Sequence, residues 1–484
     1  MHRSSPHSGR HMLDGTVRVL LAEALIVPTG LLAAAFLTRR LGPEGFGLFT
    51  LAVSLVSWIE ATMPAVFGRA TIKLVGEADD WRPVGGLVTR LHLLASVAIA
   101  ILLWLLASPI ATSLGEPALA PYLQLLAVEI PLLGLTAAHR HILIGVGGFR
   151  ERALAVAARR VSRLLFIVVL VELGLSVSGA ILGSIGATLV ELAVSRYYVR
   201  PPLLRYAHFP ARRLWSYVKP LLLFAVLRRA YDRLDLFALT ALGGTAAQAG
   251  LYGAAQSLTG TPSSLVASSQ PLLLATLSRL LSVGDSAAAN QIARDAMRAI
   301  VLLLPFAAMT VGMASEVVAL VFGDAFAAAA PLLAILIFRT LGMALLGVTA
   351  SILTAAGRPG LTVALTAPML PLAIGGHLLL IPWLGPIGAA LVTTFGAGIG
   401  LLGGVLAVHR VLGVAPPAAT LARSLAVCGL AYALTVAWPT PDLWVLVKLV
   451  LAGLAILVSF VLLGEFSRRE LGALSSALGH RTRA

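Results

Sequence analysis

Leu443–Gly464 reads LWVLVKLVLAGLAILVSFVLLG, 22 residues with a single charge at Lys448. As a helix rising 1.5 Å per residue it would be about 33 Å long, enough to cross the hydrocarbon core of a bilayer. Runs of this kind recur backwards along the chain, at 421 to 438, 386 to 409, 361 to 381, 329 to 355, 298 to 322, 250 to 277 and 217 to 241. They continue at 177 to 199, 153 to 174, 119 to 139, 86 to 107, 46 to 68 and 17 to 38. The spans predict an all-α integral membrane protein of about 14 transmembrane helices. Composition agrees: 58% of the 484 residues are hydrophobic and 12% charged, and mean hydropathy is +0.94. A water-soluble domain of this size needs far more polar surface.

A formal net charge of +15 would suggest nucleic acid in a soluble protein. Here the position of each basic residue decides, and the partner it implies is the lipid bilayer. Counting from a cytoplasmic N-terminus, the even gaps carry Arg69, Lys73, Arg140, Arg150, Arg159, Arg160, Arg196, Arg200, Arg212, Arg213, Arg358 and Arg410. The odd gaps hold mainly Glu116, Glu172, Glu316, Asp324 and Asp442, with Arg39 and Arg40 the exception. The bias predicts a multi-pass protein with both termini cytoplasmic. The basic start, Arg3, Arg10 and Arg18, precedes an apolar run too long for the h-region of a cleavable signal, so it reads as a first membrane helix. Residues 279 to 298 read as an amphipathic interfacial helix. The one cysteine, Cys428, permits no intramolecular disulfide.

An internal repeat organises the chain. Gly47-Leu-Phe-Thr-Leu-Ala-Val-Ser-Leu55 matches Gly250-Leu-Tyr-Gly-Ala-Ala-Gln-Ser-Leu258, and Leu182-Gly-Ser-Ile-Gly-Ala-Thr-Leu-Val190 matches Leu384-Gly-Pro-Ile-Gly-Ala-Ala-Leu-Val392. The offset of about 200 residues suits a six-helix half, and an even helix number keeps both copies in one orientation about a central cavity. The expected domains are 1–214 and 215–412, two six-helix bundles, followed by 413–484, two further transmembrane helices and a basic cytoplasmic tail.

Charges inside the spans carry the functional reading, because an arginine at the centre of a membrane helix costs about 2.5 to 3.5 kcal/mol and so faces water or a partner. Arg18, Arg90, Arg163, Arg229, Arg233 and Arg339 are the candidate lining of a cationic cavity. Glu23, Glu60, Glu129, Asp232 and Asp235 have two roles open to them, binding a coupling H+ or Na+ or setting the arginine rotamers. Arg228 and Asp232 also suit a local ion pair within one helix. A cavity lined with guanidinium favours an anion, phosphate above all, because the fork matches it with two parallel hydrogen bonds. A cation exporter would concentrate carboxylates instead.

No metalloprotease motif, nucleophile elbow, P-loop or Cys/His cluster is present, so no enzyme activity, metal or cofactor is expected. His92, His139 and His377 read as polar packing residues. Without an ATP site, transport must draw on an H+ or Na+ gradient, the membrane potential or the cargo's own gradient.

The Gly-rich turns carry a further signal through their order and spacing. They are Arg40-Leu-Gly-Pro-Glu-Gly-Phe-Gly-Leu-Phe49, Arg233-Leu-Asp-Leu-Phe237 followed by Leu242-Gly243, Gly250-Leu-Tyr-Gly-Ala-Ala255, Phe322-Gly-Asp-Ala-Phe326, Ala330-Pro-Leu-Leu333 and Gly385-Pro-Ile-Gly-Ala-Ala390. In these the chain resembles, over nearly its whole length, the polysaccharide (O-antigen) flippases of the multidrug/oligosaccharidyl-lipid/polysaccharide exporter superfamily. The resemblance implies transfer of an undecaprenyl-diphosphate-linked oligosaccharide from the cytoplasmic to the periplasmic leaflet by alternating access, for polysaccharide or lipopolysaccharide biosynthesis. It also implies glycan polymerases or ligases as partners. The competing readings are a lipid II flippase, a drug/cation antiporter of the same superfamily and, in a different class, a membrane-embedded glycan ligase or glycosyltransferase.

Overall fold

The computed structural model describes residues 26–63, 68–78, 80–202 and 233–466. Among the described residues every regular element is helical. Two compact units divide them, one running to Ser257 and including Ile381–Pro386, the other holding the remainder.

The first unit contains α1 (Ile26–Met63), α2 (Arg69–Glu77), α3 (Arg82–Ser113), a 3-10 turn (Pro117–Leu119), α4 (Ala120–Ala127) and α5 (Glu129–Gly145). α6 (Phe149–Leu170), a π turn (Val171–Leu175), α7 (Ser176–Tyr198), α8 (Leu234–Ala241) and the start of α9 (Ala246–Ser282) complete it. α1 is interrupted at Gly42, whose φ of +66° suits a residue without Cβ, and Pro43 then opens a new helical stretch at the position where proline's missing N–H costs nothing. α6 and α7 form a tight helical hairpin. A Cβ on Gly183 of α7 would lie 2.7 Å from the Ile167 backbone nitrogen of α6, so only glycine permits this approach. Arg40, the exception to the charge bias, pairs with Glu172 of the π turn at 2.6 Å.

The second unit contains the rest of α9, α10 (Ser286–Val301), α11 (Leu304–Gly312), α12 (Ala314–Phe322), a 3-10 turn (Asp324–Ala329) and α13 (Ala330–Ala355). α14 (Pro359–Thr366), α15 (Met369–Leu384), α16 (Pro386–Leu412), α17 (Ala418–Ala437) and α18 (Trp444–Leu462) follow. Of the amphipathic segment expected over 279 to 298, residues 279 to 282 end α9 and 286 to 298 lie in α10. Asp285 caps it by accepting from Ala288 N at 3.0 Å, and Ala289, Ala293, Met297 and Ile300 bury one face against Leu345, Ile352 and Val408. α11, α17 and α18 share another core around Met313, Val427 and Phe460.

Nine helical stretches among the described residues are long and apolar enough to cross a membrane, and a tenth is the pair α4 and α5, bent by 41° at Val128. Their outward faces are the reverse of a soluble protein's: Trp104 is 53% exposed, Phe395 74% and Leu462 81%. Such surface would drive aggregation in water and is solvated by lipid tails. The hydroxyls of Thr38, Thr89 and Thr136 each donate to the carbonyl four residues earlier, satisfying polar groups locally where water is absent. The chain is a multi-pass membrane protein.

The two matched strings fare differently. Gly47 and Gly250 stand at the same place in the helical stretches beginning at Pro43 and Ala246. Leu182 lies inside α7, whereas Leu384 closes α15.

Candidate functional site

The polar centre of the first unit is built on one stripe of α7. Ser184, Thr188, Glu191 and Ser195 recur at helical spacing in an otherwise apolar helix and are all buried. Each of the first three receives a side chain from a neighbouring helix. Ser184 accepts from Arg163 Nε of α6 at 3.2 Å, and Thr188 Oγ1 lies 2.7 Å from Glu129 Oε1 of α5. Glu191 takes Arg140 of α5 at 2.8 Å and Arg159 of α6 at 3.4 Å. Arg159 reaches on to Glu60 of α1 at 2.8 Å.

Glu191 is 1% exposed at its side chain, so its charge is held in a low-dielectric interior where two guanidinium partners offset the loss of hydration. The chain Arg140, Glu191, Arg159, Glu60 is therefore an internally neutralised bracket joining α5, α7, α6 and α1. Arg160 and Arg163 lie outside it. Neither has a carboxylate within ion-pair distance among the described residues, and the buried Nε of Arg160 finds no hydrogen-bond acceptor there.

Both arginines line a cavity of about 100 Å³ between α1 and α6, with Ala33, Ala34, Phe46, Phe49, Leu164 and Ile167 among its walls. Two guanidinium groups with free donors, set in apolar walls, present a site for a small anionic group, whose attraction grows as the local dielectric falls. The volume suits a phosphate-sized portion of a ligand rather than a sugar chain. No group of three or more His, Cys, Asp or Glu among the described residues is arranged to hold a metal ion.

Of the candidate cavity residues, Arg163 lies in this site, with Glu60 and Glu129 around it. Arg90 does not line the cavity, and its Nε donates to Gly86 O of its own helix at 3.3 Å. Arg233 precedes α8 and donates to Gln256 at 3.2 Å. Gln256 in turn donates to Asp235 at 2.8 Å, as does the buried Tyr252 hydroxyl. Arg339 is half-buried on α13 in the second unit. Arg18, Glu23, Arg228, Arg229 and Asp232 lie outside the described residues.

Sequence reasoning assigned Arg140, Arg159 and Arg160 to cytoplasmic connections and passed over Glu191. The legible signal was the polar stripe of α7, because a serine, a threonine and a glutamate at i, i+4 and i+7 on an apolar helix need partners on the helices that cover them.

A family model described as a polysaccharide biosynthesis protein matches residues 36–331, more than half of the chain. Compared by sequence with curated proteins, the chain matches none. Among solved structures, the lipid II flippase MurJ in an inward closed conformation superposes with a TM-score of 0.75 at 14% identity, covering 92% of this chain and 98% of that one. An inward-facing multidrug resistance MATE family transporter of the MOP superfamily gives 0.58 at 16% identity, covering 81% and 94%. A MOP superfamily transporter from Pyrococcus furiosus, described as having a binding pocket of reverse polarity, gives 0.56 at 14% identity, covering 82% and 94%. At these identities the structural likeness establishes the fold. With the family match, it follows that the chain belongs to the polysaccharide biosynthesis protein family and has the fold of the MOP superfamily transporters.

Proposed function

We propose that the protein is a flippase that moves an undecaprenyl-diphosphate-linked oligosaccharide from the cytoplasmic to the periplasmic leaflet of the bacterial inner membrane. The observation that carries this reading is the pair Arg160 and Arg163, which face a small apolar-walled cavity with no carboxylate within ion-pair distance of either among the described residues. A lipid-linked diphosphate supplies the missing negative charge, and two guanidinium forks suit its oxygens. Family membership points the same way. In this reading the two six-helix halves, 1–214 and 215–412, alternate their access, with an H+ or Na+ gradient or the membrane potential as the driving force. Glycan polymerases or ligases take up the product.

A lipid II flippase is the second reading, favoured by the 0.75 superposition on MurJ over nearly the full length of both chains. Its cargo would use the same positive cavity. A cation antiporter fits less well, since two unneutralised arginines repel a cationic drug. A membrane-embedded ligase or glycosyltransferase would need a catalytic loop, and the connections among the described residues are short.

The test is growth of a strain carrying Arg163→Gln or Arg160→Gln, alone and beside Arg233→Gln and Arg339→Gln, at matched protein abundance. Surface glycan and carrier-linked oligosaccharide are measured in parallel. Loss of surface glycan with accumulation of the carrier-linked intermediate supports the reading. Normal glycan with altered sensitivity to cationic drugs overturns it in favour of the antiporter.

A further inference from the structure

Four carboxylates lie within the helices of the first unit's described residues at or near its polar centre: Glu60, Glu129, Glu191 and Asp235. Three of them have partners suited to a negative charge. Glu60 and Glu191 are paired to arginine, and Asp235 accepts from Tyr252, Gln256 and the Leu236 backbone N–H. Glu129 differs. It is 4% exposed, no cation comes within ion-pair distance of it among the described residues, and its one hydrogen-bond partner is a neutral hydroxyl.

That hydroxyl belongs to Thr188, whose Oγ1 lies 2.7 Å from Glu129 Oε1 and 3.1 Å from the Ser184 carbonyl oxygen. Both neighbours are acceptors when Glu129 is ionised, and the threonine has a single proton to give. With Glu129 ionised the one proton is shared between two acceptors, whereas two full hydrogen bonds form at once when Glu129 carries a proton, donates it to Thr188 Oγ1, and Thr188 donates to Ser184 O. The geometry points to Glu129 as a proton-binding site, protonated in this conformation and linked to the cationic cavity through Arg163.

The charges facing Glu129 are Arg159 and Arg163 of α6 and Glu60 of α1. α7 adds Glu191, and α5 itself carries Arg140. Tyr122 is the titratable residue of α4. On α3, His92 lies with its ring 6.0 Å from that of His141, about 18 Å along α5 from Glu129 at the helical rise. Arg159 is already committed to Glu60 and Glu191. The N-terminus of α5 favours an anion at Glu129. Burying a carboxylate without a paired cation costs more than a helix terminus returns, so the site favours the protonated acid.

The link to the cavity is one turn of α7 long. Arg163 Nε donates to Ser184 Oγ, and Thr188 lies four residues further along. If Glu129 loses its proton, its charge competes for Arg163 and opposes an anion in the cavity. An anion on Arg163 holds the proton more tightly, and the coupling is reciprocal. The proton site stands on this geometry alone, whereas its use in driving transport rests on the flippase reading.

The experiment uses the full chain in nanodiscs, as wild type, Glu129→Gln, Glu129→Asp and Glu60→Gln. Infrared spectra at pH 7 follow the carbonyl stretch of a protonated carboxylic acid, and binding of inorganic diphosphate is titrated against pH. The expected result is a protonated-acid band present in wild type and in Glu60→Gln, absent in Glu129→Gln and shifted in Glu129→Asp. Diphosphate binding by wild type should weaken by about 5- to 150-fold as Glu129 titrates, while Glu129→Gln, the uncharged isostere, binds at all pH values as wild type does when protonated. A band that persists in Glu129→Gln, or an equal pH dependence in both proteins, overturns the proposal. Loss of the band in Glu129→Gln with no diphosphate binding in either protein supports the proton site and counts against the flippase reading.

Discussion

Gly47 and Gly250 approach each other backbone to backbone, and they do so reciprocally. A Cβ on Gly47 would overlap the carbonyl oxygen of Ala246 and lie 2.9 Å from Gly250 N; a Cβ on Gly250 would overlap the oxygen of Pro43 and lie 3.0 Å from Gly47 N. Pro43 and Ala246 each precede their glycine by one helical turn, so the contact has local two-fold character between two strings that also match in sequence. Gly47→Ala or Gly250→Ala should destabilise the protein by about 1 to 3 kcal/mol through overpacking. Gly398→Ala, where a Cβ meets nothing within 4 Å, should be neutral or slightly stabilising, since alanine is the better helix former. Thermal unfolding in detergent, followed by helical signal, separates the two cases.

Arg159 and Arg163 are one turn apart on α6 and should fail differently when removed. Arg159→Ala strands Glu60 and leaves Glu191 with Arg140 alone, an uncompensated buried charge worth about 3 to 5 kcal/mol. Arg163→Ala breaks one hydrogen bond to a serine, so folding should survive while anion binding is lost. Protein abundance against transport in vivo distinguishes the two outcomes.

Glu465 should give the second unit an acid-sensitive anchor. It follows α18 and joins α10 to α17, taking Arg298 at 2.8 Å, Arg423 at 2.8 Å and the Thr420 hydroxyl at 2.6 Å. Burial pushes its carboxyl up, but the hydrogen bonds from Thr420, Arg423 and Arg298, with the Arg298 charge, outweigh this and hold it below the ordinary 4.5. The folded value is thus below the unfolded one. The stabilisation is complete above about pH 4.5 and is lost as pH falls through the folded value, because the unfolded chain then binds more protons. Glu465→Gln should lower the melting temperature at pH 7 and flatten its dependence on acid, measured as melting temperature against pH.

Lys448, the single charge in the opening run of sequence, is 1% exposed and donates to both oxygens of Glu316 at 2.8 and 2.7 Å. Lys448→Met should cost about 3 to 5 kcal/mol, because it leaves the half-buried glutamate with Thr440 as its remaining partner among the described residues. The double variant Lys448→Met with Glu316→Gln should recover much of that loss. A double-mutant cycle on unfolding free energy measures the difference.

Helix positions were legible because the bilayer imposes length and apolarity on every crossing, whatever its neighbours. The breaks at Gly42, Gly174 and Gly284 fall at or between the limits of the spans, at glycines whose positive φ a side chain would oppose. The bend at Val128 and the break at Met313 were not legible, since neither residue is a breaker. Arg163 stood out as a candidate because charge inside a membrane helix is costly on its own terms. Arg160 did not, because its neighbour Arg159 made the pair look like a cytoplasmic cluster.

By itself, then, the sequence determined a helical membrane protein, the order of its spans, the family turns and the fact that too many arginines sit among apolar residues. Hydrophobic length and charge cost are properties of single segments and can be read one helix at a time. Which arginines are neutralised and which keep their donors for a ligand was decided only by tertiary structure. Arg159 and Arg163 are the same residue type on the same helix, and what separates them is whether Glu60 and Glu191, brought from α1 and α7, fall within reach.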